Sequence, residues 1–328
     1  MASDETAFLL ATEGMTGGMT PPDEVLTPFE GSYRLRPDGR PSPVFRTELR
    51  KIQNLRNAFT CAYTLLTPAA IVWLAIAINH WLGWTVAFVG MGSVFVRYAI
   101  LNHEAAHRLL FTNRRLNDLV GQWIFGLLAF GSGSDAYRRV HAAHHRDEFG
   151  PNEPDFLLYA LYPIPTASWR RKLRRDILFV SGAKNFKSFF RSFRRRATLQ
   201  YGLRTLAGQI IVLTPLLIIG RPELWVFLWL LPYMTIWRLY NRLRAVAEHA
   251  GLERSADRRR ASHHVQQSLL PRILFVPFNT GWHLAHHVDS GVPFRNLPKF
   301  HDALVADGYI PDAMVYPSYR SLWGALTR

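Results

Sequence analysis

Residues 59–78 run without a single charged side chain, and as one helix they would reach about 30 Å, the thickness of a bilayer's hydrocarbon core. The run is continuously apolar rather than alternating, which points to a membrane helix and away from a barrel strand. Asn79-His80-Trp81 then offers a tight turn with an interfacial aromatic, and residues 82–102 run back, interrupted only by Arg97. A second pair of apolar runs, 204–220 and 223–240, is joined by Gly220-Arg221-Pro222-Glu223. The pattern predicts four spans (about 59–79, 82–102, 204–220 and 223–240) in two hairpins. The stretch 116–130 is apolar but short, and is expected to be an interfacial or re-entrant helix broken by Gly131-Ser132-Gly133-Ser134.

The charges fall on one side of these runs. The chain carries a net charge of +15, and Arg170, Arg171, Lys172, Arg174, Arg175, Lys184, Lys187, Arg191, Arg194, Arg195 and Arg196 face only Asp176 between positions 169 and 196. Basic residues that flank membrane-like segments argue against nucleic acid and, by the positive-inside rule, place this side in the cytoplasm. Residues 1–45, rich in Gly, Pro, Thr and Ser and without periodicity, are expected to form a disordered cytoplasmic tail rather than a signal or transit peptide. Residues 46–328 then form the membrane domain. The single cysteine, Cys61, excludes an internal disulfide and thiolate metal sites.

Nine of the thirteen histidines fall in four places on the predicted cytoplasmic side: His103 and His107; His141, His144 and His145; His249; and His283, His286 and His287. On a helix, positions i, i+3 and i+4 share a face, so each HxxHH can aim its imidazoles at one point. Neutral imidazole is the commonest side-chain ligand for transition metals. Nine such ligands exceed one ion's coordination shell, so two metals are expected, with iron, zinc and copper all compatible with imidazole. Glu104, Asp135, Asp147, Glu148, Asp155, Glu248 and Asp289 are candidates to orient these rings. His80, His263, His264 and His301 read as ordinary packing or surface residues.

His103-Glu104-Ala105-Ala106-His107 also fits HExxH, the signature of a membrane metalloprotease, although that reading leaves both HxxHH clusters and His249 unused. A non-enzymatic metal-binding membrane protein would need polar residues inside the spans, and residues 59–78 and 224–237 offer almost none.

The four histidine boxes, in this order and spacing, resemble those of the membrane fatty acid desaturase superfamily. The flank from His283 through Pro293, Leu297 and Pro298 to His301 is similar to the tail of the third box in acyl-lipid desaturases. Two departures stand out: Val288-Asp289-Ser290 replaces the usual proline after the third box, and the chain holds no cytochrome b5 segment. The resemblance implies an all-α integral membrane protein, its helical cytoplasmic cap holding a di-metal histidine site. It also implies two non-haem iron ions on the nine histidines, O2 as co-substrate, a lipid acyl chain as substrate and insertion of a C=C bond. Electrons would come from a separate ferredoxin or cytochrome b5 type donor, steered to the arginine-rich face. The same scaffold also supports lipid or carotenoid hydroxylases and ketolases.

Overall fold

The computed structural model describes residue 8, residues 11–130 and residues 134–328, with side chains for all of these except 134–136. Residues 131–133 of the Gly/Ser break expected at 131–134, and the side chain of Asp135, therefore lie outside what is described.

The described chain is mostly helical. Helix α1 (Pro43–Leu49) precedes two long apolar helices, α2 (Asn54–Ile78) and α3 (Trp81–Ala106). Asn79, in the left-handed conformation that asparagine tolerates, closes α2, and the His80 ring accepts from the Leu82 amide to open α3. Polarity along α2 is inverted relative to a soluble helix. Asn57, Thr60 and Thr64 are buried, while Leu66 and Trp73 stand about two-thirds exposed, as suits a face turned to lipid. Helix α3 is the central element, with Val94, Phe95, Val96, Tyr98 and Leu101 all buried.

Helix α4 (Arg114–Asp118) continues as a π-helical stretch, Leu119–Gly126, pressed against α3. Gly121 permits that approach, because a side chain there would collide with Ala105. Asn117, fully buried, accepts from the Leu110 and Phe111 amides and donates to the Ala105 carbonyl, pinning the loop that follows the first histidine box. The second box lies on α5 (Ser134–Arg146). Two basic amphipathic helices, α6 (Thr166–Ile177) and α7 (Val180–Ser192), lead to the apolar α8 (Arg196–Ile218).

Among the described residues three helices, α2, α3 and α8, are long and apolar enough to cross a membrane. The fourth expected span is not one continuous helix. It is a π-helical turn at Trp225–Leu230, a short helix α9 (Leu231–Met234) and then α10 (Ile236–His249). Pro232 withholds a backbone donor here, and Thr235, at φ −123° and ψ −81°, donates its hydroxyl back to Leu231 O and bends the chain between α9 and α10.

Among the described residues, α11 (Leu269–Leu274), α12 (His283–Val288), α13 (Leu297–Ala306) and α14 (Tyr319–Ala325) follow as short helices, and His264–Val265 pairs in parallel with Val315–Tyr316. The stretch expected to be a tail packs against the rest of the chain over residues 15–45. Leu26 and Leu35 are buried, the Met19 amide donates to Gly251 O, Arg34 pairs with Asp307, and Gly39, at positive φ, sits against the Tyr309 ring. These contacts come from turns and isolated anchors, so no hydrophobic period announces them in the sequence.

Candidate metal centre

Four elements end at one place. His103 occupies the last turn of α3 and His107 caps it; α5 carries His141, His144 and His145; His249 is the final residue of α10; α12 begins at His283 and brings His286 and His287. The nine rings sort into two groups, His103, His107, His141, His145 and His286, and His144, His249, His283 and His287; within each, one nitrogen per ring lies within 4.8 Å of the others. The HxxHH clusters are split between the groups. One helical turn sends His141 and His145 to the first and His144 to the second, and likewise His286 to the first and His283 and His287 to the second.

The ring nitrogens meet tip to tip. Nε2 of His141 lies 2.8 Å from Nε2 of His107 and 3.0 Å from that of His145, which is 3.1 Å from Nε2 of His286; in the second group Nε2 of His283 and His249 are 2.8 Å apart. Two imidazoles bound at right angles to one ion, each at about 2.1 Å, would have nitrogens about 3 Å apart. His141 Nε2 faces two other ring nitrogens at once, and one hydrogen cannot serve both. Nε2 of His287 and Nδ1 of His103 are buried without a hydrogen-bond partner. Convergent, partly orphaned acceptors of this kind fit metal ligands.

Electrostatics keep most of these rings neutral, the state a ligand needs. Burial, reinforced by neighbouring imidazoles, holds His141, His145, His283, His286 and His287 well below the usual imidazole range, and His107 is pushed down to about 4. His249 goes the other way: burial pulls it down, but the carboxylate of Glu148 outweighs burial and raises it.

The groups differ in what surrounds them. Among the described residues, every close approach of a carboxylate to a histidine falls on the second group. His144 Nδ1 donates to Glu153 at 2.8 Å; Glu148 Oε1 lies 2.8 Å from His249 Nδ1 and 3.3 Å from His287 Nδ1; Glu248 Oε1 is 3.5 Å from His283 Nδ1. In the second group His144, His249 and His287 are buried and the His283 side chain is 12% exposed, whereas four of the five in the first group are only half-buried. The Tyr137 ring lies parallel to His141 with centroids 5.6 Å apart.

The fatty acid desaturase family model matches residues 79–320, most of the chain and all nine of these histidines. The chain belongs to the fatty acid desaturase family. Two curated relatives are also similar. An sn-1 oleoyl-lipid 12-desaturase of Anabaena variabilis is 26% identical over 144 residues, 44% of this chain and 37% of the relative. The dihydrorhizobitoxine desaturase of Bradyrhizobium elkanii is 23% identical over 305 residues, 85% of this chain and 82% of that enzyme. The chain thus spans little more than a third of the first relative and most of the second.

Within this family member, several sequence-level expectations for the acidic residues change. Glu104, the would-be base of HExxH, is 3% exposed and accepts from the Phe294 amide at 3.0 Å, so it serves packing between α3 and the turn before α13. Asp289 pairs with Arg46, and Asp147 caps the Asn152 amide. Glu148 and Glu248 do lie against the histidines. Glu153 was not among the residues the sequence singled out. Its one signal is the spacing, nine residues beyond His144 and across the turn that ends α5. His80, His263, His264 and His301 lie outside both groups: His263 Nε2 bonds the Ala250 carbonyl, and His301 stacks on both Trp282 and His264.

Proposed function

We propose that this chain is an O2-dependent acyl desaturase of the membrane, introducing a C=C bond into the fatty acyl chain of a lipid. The single observation that carries this reading is the pair of converging, thiolate-free histidine groups. Five and four imidazoles with tip-to-tip nitrogens near 3 Å are a donor set suited to two redox-active ions. Two iron ions held there would supply activation of O2. In the overall reaction the substrate loses two hydrogens as the new double bond forms, and O2 takes these with two electrons and two protons to leave two waters.

The chain's own residues hold and shield that chemistry. The nine histidines serve as ligands; Glu153, Glu148 and Glu248 orient the second group and favour the Nε2-facing tautomer. Buried aromatics of α3, the π-helical turn and α9, with Phe95 at 4.7 Å from Trp229 and 5.3 Å from Tyr233, pack into an apolar cluster that excludes water from the interior of the helix bundle. The third and fourth apolar segments complete four spans in two hairpins, and the histidine cap faces the cytoplasm with the exposed basic residues of α6 and α7. Electrons reach the centre from an acidic ferredoxin or cytochrome b5 type protein docked on that face.

Mass spectrometry of total lipids tests the reading, with cells expressing the wild type compared with cells expressing His144→Ala. A product two hydrogens lighter, made only by the wild type, is expected. A product one oxygen heavier would move the assignment to a hydroxylase or ketolase. Lipids unchanged alongside an altered non-lipid metabolite would move it to a non-acyl substrate.

A further inference from the structure

Away from the histidines, a cleft of about 780 Å³ opens between α7, the start of α8 and the bend between α9 and α10. Two glycine contacts fix its walls. A side chain at Gly182 would run into the backbone of Met234, and one at Gly202 would meet Ser192 Oγ and the Phe193 ring. Helix α7 is therefore held closely near both ends, and the cleft lies beneath its middle. The floor is aromatic. Phe130 stacks on Tyr233 with centroids 4.2 Å apart, and Phe186 lies 6.3 Å from Phe130. The rim is basic, with Arg194 and Arg195 exposed at the mouth.

Between rim and floor lies Arg238. Its guanidinium sits over the Tyr233 ring, 4.4 Å from the centroid, and its Nε and Nη2 are buried with no hydrogen-bond partner. Among the described residues no carboxylate pairs with it. Two buried donors without partners on a half-buried guanidinium are costly unless an anion completes them, and together they form the fork that fits a phosphate or carboxylate. We propose that this cleft is a binding site for one anionic phospholipid. Its phosphate is held by Arg238 with support from Arg194 and Arg195, and its acyl chain lies over Phe130, Phe186 and Tyr233. None of the nine histidines lines the cleft, so the inference stands independently of the reaction proposed above.

Purified, delipidated full-length protein can be titrated with phosphatidylglycerol, phosphatidylcholine and inorganic phosphate and read by native mass spectrometry. The wild type is expected to hold one phosphatidylglycerol more tightly than phosphatidylcholine, and millimolar inorganic phosphate should not displace it. Arg238→Gln should weaken phosphatidylglycerol by at least about tenfold, and Arg238→Lys, which keeps the charge but loses the fork, by several-fold. Ser188→Trp, which crowds the cleft from α7 without touching Arg238, should weaken the lipid as well. Metal content and elution profile verify that each variant is folded; should Arg238→Gln fail there, Arg238→Lys and Ser188→Trp decide. Phosphatidylglycerol affinity unchanged in the folded variants would overturn the proposal. So would full displacement by inorganic phosphate, which would make this a free-phosphate site, or equal affinity for phosphatidylcholine.

Discussion

Glu148 Oε1 lies 2.8 Å from Nδ1 of His249, at the buried end of α10, and the same oxygen is 3.3 Å from Nδ1 of His287. One carboxylate thus addresses two rings of the second histidine group while its other oxygen accepts from Arg258 at 2.6 Å. Glu148 is itself held below the usual carboxylate range: burial opposes ionisation, and the histidines and Arg258 outweigh it. A fixed negative charge here makes His249 and His287 better donors toward an ion on their far side.

Glu148→Gln keeps the volume and removes that charge. Metal affinity of the second group is expected to fall by about 10- to 100-fold, the usual effect of removing a ligand's orienting partner. Chelator competition followed by elemental analysis should show one of two ions lost early and the other retained. Simultaneous loss of both would mean that the groups do not bind separately.

Glu153 gives a graded comparison, because among the described residues His144 is the one histidine it reaches, accepting from Nδ1 through Oε2 while Oε1 accepts from the Asp155 amide at 3.0 Å. Glu153→Gln retains an acceptor at that place and should release metal only several-fold faster, whereas Glu153→Ala leaves His144 unoriented and should approach the Glu148→Gln effect. Rescue by glutamine marks an orienting role; equal loss in both variants would mark a need for the charge.

Much of this was legible in the sequence. The nine histidines could be picked out because HxxHH at helical spacing is a local pattern, and their convergence required only that four segments end on one side. The allocation of rings to two groups was not legible, since it depends on how α5 and α12 are rotated against each other. The fourth apolar stretch also read as a plain helix, because hydropathy does not register the bend that Pro232 and Thr235 introduce. Glu153 escaped for a related reason: a residue in a turn has no period, and only tertiary structure brings it back to His144. Residues 15–45 escaped too, their anchors Leu35 and Arg34 being isolated amid turn-forming residues.

His263, apart from both metal groups, carries a pH signature. Burial pushes it down to about 4, and its Nε2 bonds the Ala250 carbonyl beside the Tyr316 ring. A histidine depressed by folding contributes stability that is complete above its unfolded value of about 6.5 and is lost as pH falls from there toward 4. Each such group steepens the loss by up to about 1.4 kcal/mol per pH unit in that window. His263→Gln, able to donate to Ala250 in its place, should flatten the decline in melting temperature between pH 6.5 and 4.5 in metal-free protein. An unaltered slope would show that His263 takes up its proton in the folded state.

The exposed basic helices α6 and α7 make the remaining prediction. Asp176, the one acid in this run, is already occupied by Arg242 and the Ser181 hydroxyl, so Arg170, Arg171, Arg174 and Arg175 present uncompensated charge to solvent. Association with an acidic donor would be accelerated by that field and screened once the Debye length drops below about 10 Å, near 0.1 M salt. In a reconstituted system, kcat/KM for the reduced donor should fall steeply between 20 and 300 mM salt while kcat at saturating donor stays nearly constant. Arg170→Glu combined with Arg174→Glu should reproduce the high-salt value at low salt. A flat salt profile would place electron entry elsewhere on the molecule and leave these arginines to the membrane surface alone.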